Sequence, residues 1–114
     1  MASTCSCVDL LGNRYEYTVL PFEADWNEVS GVYMFVRWQP GSGWEPLYIG
    51  KADSFKNRLC PSHECWSPAV ALGATHVLVR CVPEALARAD EERRLIETYD
   101  PPLNVQHRRS FGAS

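Results

Sequence analysis

Two apolar stretches on either side of a Pro- and Gly-rich turn constrain this chain most. Residues 31–38 (GVYMFVRW) alternate, with Val32, Met34 and Val36 on one face and Tyr33, Phe35 and Arg37 on the other. Residues 39–45 (QPGSGWE) form a turn cluster, and residues 46–49 return as a second apolar run. Residues 31–49 therefore read as an antiparallel hairpin with a generous loop.

The other segments supply partners for that ribbon. Residues 13–22 (NRYEYTVLPF) carry Tyr15, Tyr17 and Val19 in alternation, a half-buried strand ended by Pro21. Residues 75–82 (THVLVRCV) are rich in β-branched side chains without a breaker and predict a further strand. Residues 23–30 are acidic and turn-like, with Trp26 tucked against the core. Residues 62–73 predict a short helix capped by Ser62, with Trp66, Val70 and Leu72 available for packing and Gly73 at its C-terminal end. Pro83 suits the first turn of a longer helix that runs to about Asp100 and stops before Pro101 and Pro102. Residues 1–12 read as a loose N-terminal segment or an edge strand, and residues 107–114 as a disordered polar tail. The sum is one α+β domain over residues 13–106, an antiparallel sheet covered by helices.

Charge limits what such a domain can bind. A net charge of -3 argues against a bulk nucleic-acid binder, which carries a clear positive excess. The balance is uneven: residues 1–50 hold six acids and two bases, residues 51–114 eight acids and nine bases. A phosphate-binding surface must then be local, lie in the second half, and bind weakly or with the help of a protein partner. No apolar run approaches the roughly 20 residues of a membrane span, and no basic-then-apolar leader follows Met1, so a cytoplasmic location without membrane contact is expected. Five cysteines, an odd number, do not read as a disulfide framework. Cys5 and Cys7 with Cys60, His63 and Cys65 offer zinc-binding atoms, but C-x-C and C-x2-H-x-C are not a standard pairing; reduced thiols are expected, not a structural zinc.

The chemistry-bearing stretch is residues 47–59 (LYIGKADSFKNRL). Leu47, Tyr48 and Ile49 end a strand, and Gly50 allows a bend or a close approach. Asp53 or Ser54 can cap a short helix on which Phe55 and Leu59 face inward as an i,i+4 pair. Lys51, Lys56 and Arg58 surround that turn, so a phenol, ammonium groups and a guanidinium meet there. This set suits an anion, phosphate above all; the plainer alternative is a surface loop with solvated charges.

The long helix carries an anomaly. At about 100° per residue Ala85, Ala89, Ile96 and Tyr99 share a stripe, with Leu86 and Leu95 at its edges and Glu92 in its middle. Glu91, Arg93 and Arg94 fall toward solvent. A carboxylate buried without a partner is costly, so Glu92 must pair with Arg58 or Arg80, hold a metal, or face a cleft. A lone carboxylate suits Mg²⁺, which keeps most of its waters. Asn104 follows Pro101 and Pro102, whose rings hold the amide in a set orientation.

Together, Gly31-Val32-Tyr33, Tyr48-Ile49-Gly50-Lys51, Arg58, Glu92 and Pro101-x-x-Asn104 give a pattern that resembles the GIY-YIG endonuclease family. The spacing is closest to that of the nuclease module of bacterial excision-repair incision proteins, and the likeness spans roughly residues 30–105. Val32 in place of the middle isoleucine, an extra N-terminal strand and the acidic balance are departures. The resemblance implies a small three-stranded antiparallel sheet flanked by helices and a nuclease that cuts DNA, with RNA second, using one Mg²⁺ or Mn²⁺. Glu92 would hold the metal, and Arg58 would clamp the scissile phosphate with Lys51 and Lys56 on the substrate. Tyr48 or Tyr33 would orient or deprotonate the attacking water with Lys51 beside it, and Asn104 would order the site. His63 is an alternative base or phosphate contact, or else a helix-start hydrogen bond. Repair or processing of DNA structures is the expected setting. Two other readings stay open: a nucleic-acid-binding or partner-dependent module that keeps the framework, and an interaction domain with a structural ion pair at Glu92.

Overall fold

The computed structural model describes residues 3–104. The expected tail at 107–114 and the last residues of the expected domain lie outside them. The described elements are β1 (Ser3–Val8), β2 (Arg14–Pro21), β3 (Gly31–Gln39), β4 (Gly43–Ala52), α1 (Phe55–Arg58), α2 (Trp66–Ala71), β5 (His76–Cys81) and α3 (Ala85–Tyr99). The strands make one antiparallel sheet in the order β1-β2-β5-β3-β4, so the α+β class holds.

The sheet has five strands, where the sequence suggests three and an extra one. The hairpin strands β3 and β4 form one end of the sheet with β4 at its edge, β5 follows β3, and β2 joins β5 with β1 beyond it. The N-terminal segment is ordered as β1 because Cys5 and Cys7 alternate inward and because its turn is tied down. The Asp9 carboxylate accepts from the backbone N–H of Leu11 and Asn13, both at 2.9 Å, and from the Tyr15 hydroxyl at 2.9 Å. The hairpin loop is also tighter than expected. Gly43 takes a left-handed φ of 87°, and Trp38 stacks edge-on against Trp44 at 5.1 Å, which carries the ladder past Pro46.

Both faces of β3 are covered, so residues 31–36 are all buried. Tyr33 and Phe35 face one core with Tyr48, Phe55, Leu59 and Ala69 beneath α1 and α2. Val32, Met34 and Val36 face a second core with Tyr17, Ile49, Leu78 and Leu95 beneath α3. The two faces that alternate in the sequence of β3 here face two separate cores.

α1 starts where the sequence places it, whereas α2 and α3 do not. α1 begins after Ser54, whose hydroxyl caps Asn57 N–H at 3.4 Å. The carbonyls of Val29 and Asn27 take the N–H groups of Phe55 and Lys56, so the 23–30 loop holds the helix in place. α2 starts at Trp66 because the preceding turn is held by side chains, and Val70 and Leu72 are exposed where packing was expected. α3 starts at Ala85, not Pro83: buried Arg88 reaches back to the carbonyls of Val82 (3.0 Å) and Pro83 (2.9 Å) and holds that loop out of the helix. It ends at Asp100, whose φ of 46° reverses the chain before Pro101. Among the described residues no helix is long and apolar enough to cross a membrane.

Candidate active site

The hairpin register sets the geometry. Tyr33 on β3 lies opposite Gly50 on β4, and Val32 opposite Lys51. A Cβ at Gly50 would come within 2.5 Å of the Tyr33 hydroxyl and 2.9 Å of the Tyr48 ring, so only glycine lets both rings lie across the strand. The two rings sit 6.2 Å apart.

Their environments differ. Tyr33 is fully buried, and its oxygen lies 2.5 Å from His63 Nε2. His63 Nδ1 accepts the Cys65 backbone N–H at 2.9 Å, so a neutral ring carries its proton on Nε2, facing Tyr33. Burial pushes the Tyr33 phenol well above the ordinary tyrosine range, against the pull of the neighbouring Arg58. Tyr48 reaches the surface of a cleft and is pushed up to about 12, chiefly by burial; Cys65, Glu64 and Glu92 also raise it, and Arg58 pulls it down.

Arg58 comes from the last turn of α1 and is half-buried. Its guanidinium donates to Glu64 at 3.1 Å and lies beside Tyr33, and these partners hold it firmly protonated. The His63 side chain is one of the contacts that start the turn before α2, and the same ring orients Tyr33.

Helix α3 supplies the carboxylate, but its buried face is rotated from the expected one. Arg88, Glu91 and Leu95 are buried, while Ala85 and Tyr99 are exposed. The buried ion pair forms at Glu91: Arg80 donates to one carboxylate oxygen, and the Tyr17 hydroxyl donates to the other at 2.6 Å. Glu91, expected in solvent, is therefore structural, and Glu92 borders the buried stripe instead of centring it. Glu92 is half-buried and lines a cleft of about 580 Å³ with Tyr48, Ile96 and Asn104. It makes no ion pair at salt-bridge distance among the described residues. Burial raises its pKa, while the charge and backbone N–H of Lys51 and the charge of Arg58 draw it back down.

Asn104 closes the arrangement. Its side-chain oxygen accepts from Ile49 N–H at 2.8 Å, and its amide nitrogen donates to Ile49 C=O at 2.9 Å. The amide thus acts as a one-residue strand partner on the open edge of β4, beside Gly50.

Of the residues named from sequence, Tyr48, Glu92 and Asn104 share the cleft. Lys51 and Arg58 act on Glu92 through charge, and Tyr33 and His63 stand behind in the core. Lys56 is exposed and lines a different groove. No group of three or more His, Cys, Asp or Glu side chains converges among the described residues. A half-buried carboxylate in an open cleft is a donor that a hard, largely hydrated divalent ion accepts. The sequence reading did not foresee buried Arg88, placed Glu91 in solvent, offered Arg80 as a partner for Glu92 and not Glu91, and saw Tyr17 only as a strand residue. The spacing of Arg88, Glu91 and Leu95 was a signal for them, obscured because two of the three are charged.

The chain matches no family model, no curated protein and no solved structure.

Proposed function

We propose that the chain is a metal-dependent endonuclease of GIY-YIG type, hydrolysing phosphodiester bonds of nucleic acid, DNA before RNA, in the processing of DNA structures. The observation that carries this reading is the meeting of Tyr48, Glu92 and Asn104 in one open cleft, with Arg58 and Lys51 close enough to act on the carboxylate.

In this reading Glu92 holds one Mg²⁺ or Mn²⁺, which when bound polarises a phosphoryl oxygen and offsets developing negative charge. Arg58 presents a planar fork to the scissile phosphate from a helix end, and Glu64 sets its orientation. Tyr48 places its phenol in the cleft, where it orients a water and takes its proton. Deprotonating that phenol is hard at neutral pH, and Arg58 is the fixed charge that eases it. Tyr33 and His63 keep the Tyr48 side of the sheet rigid. Asn104 locks Ile49, and therefore the turn that presents Lys51.

A second reading keeps this chemistry but gives substrate capture to a protein partner. The cleft wall favours it: Asp90, Glu92 and Glu97 stand there with Arg93, which is paired with both Asp90 and Glu97. Such a wall neutralises few phosphates and so releases few of the nucleic acid's counterions on binding.

The test is incubation of the purified chain with labelled single-stranded, duplex and branched DNA and with RNA, in Mg²⁺ or Mn²⁺. Divalent-dependent cleavage of at least one form is expected. No cleavage of any form, with either metal, would overturn the proposal.

A further inference from the structure

A second groove, of about 670 Å³, opens beside α1 and has no part in the chemistry above. Its size is in the range of about 300–1,000 Å³ typical of small-molecule sites. Phe22, Trp26 and Trp66 provide ring surfaces, with Phe22 and Trp66 only 4.7 Å apart. Exposed Glu23 and Asp25 stand at the groove with exposed Lys56. Trp26 carries a buried indole Nε1–H for which the described residues supply no acceptor.

We infer that this groove receives one unstacked nucleobase of the nucleic acid cut at the Tyr48–Glu92 cleft, a step that rests on the nuclease reading. Aromatic rings stack on any base, which gives affinity without bulk positive charge. The two carboxylates repel a phosphate backbone but accept hydrogen bonds from exocyclic amino groups, which cytosine, adenine and guanine carry and thymine lacks. Lys56 meets the phosphate of the same nucleotide, and Arg58, two residues along the chain, serves the cut one.

A quaternary ammonium group is the competing occupant, since aromatic walls with carboxylates bind cations. It would face the like charge of exposed Lys56, which the phosphate of a nucleotide instead attracts, so the nucleotide is the better match. The substrate that follows is one with an unpaired nucleotide: a single strand, a gap or a branch, not a continuous duplex.

The experiment uses the full chain without divalent ions, so that no strand is cut, and a single-stranded oligonucleotide carrying one 2-aminopurine. Saturable quenching of the probe is expected, with little for the same probe inside a duplex. Trp26→Leu, which removes a ring of the groove, should weaken binding about tenfold. Asp25→Asn, at an exposed position that cannot harm the fold, should reduce the preference for amino-bearing bases over thymine. Equal binding by wild type and both variants, or displacement of the oligonucleotide by a trimethyl-lysine peptide, would overturn the inference. Cleavage of the same strand in Mn²⁺ is read in parallel. Cleavage without quenching removes the base site and leaves the nuclease reading; quenching without cleavage supports the base site and removes the nuclease reading.

Discussion

Tyr33 and Tyr48 are the same side chain in two settings, and the difference assigns their work. Tyr33 is sealed against His63, whereas Tyr48 reaches the cleft that Glu92 lines. Tyr48→Phe should lower the cleavage rate by about 10²–10⁴-fold, the usual worth of a general base, with melting temperature nearly unchanged. Tyr33→Phe should mainly cost stability, about 1–2 kcal/mol for the lost bond to His63, seen as a shifted denaturant midpoint. The pH profile follows from the two shifted groups. A phenol pushed up to about 12 is protonated at neutral pH, so its basic form and the rate rise about tenfold per pH unit on the alkaline side, until the pKa in the loaded site is reached. Glu92 must be ionised to hold a cation, and its pKa is raised, so the acid limb should fall above the ordinary glutamate value. Initial rates across pH at saturating Mn²⁺ check both limbs. A flat profile would rule out Tyr48 as base.

At the scale of elements, the site depends on how β4 is held at Gly50. Gly50→Ala drives a methyl into two rings that the core fixes, so it should destabilise by about 1–3 kcal/mol and depress cleavage in the molecules that remain folded. Asn104→Ala leaves the N–H and C=O of Ile49 without their side-chain partners, at about 1–3 kcal/mol, readable as faster amide exchange at Ile49. Much of this was legible in the sequence. The glycine after Ile49, the cap at Ser54 and the inward pair Phe55 and Leu59 all follow from local chemistry. The face of α3 was not, because helical arithmetic ranks stripes by apolar content. The true stripe carries Arg88 and Glu91, each satisfied by partners outside the helix: Asp53 and the carbonyls of Val82 and Pro83 for one, Arg80 and Tyr17 for the other. Only tertiary pairing makes charged residues buriable.

For the whole molecule, the sequence suggested strands wherever alternation was clean, and the sheet contains them. It understated β1, whose pairing depends on an Asp9 turn that no periodicity reveals, and so it missed how far the sheet extends beyond β5. The consequence is a domain in which two adjacent acids on one helix do opposite jobs: Glu91 ties α3 to the far half of the sheet, and Glu92 faces the cleft. The most direct measurement is a paired comparison of Glu92→Gln and Glu91→Gln, scored for Mn²⁺-dependent DNA cleavage and for thermal melting. The account predicts that Glu92→Gln abolishes cleavage at an unchanged melting temperature, and that Glu91→Gln lowers the melting temperature while the folded fraction still cuts. Cleavage that survives in Glu92→Gln at the wild-type rate would contradict it.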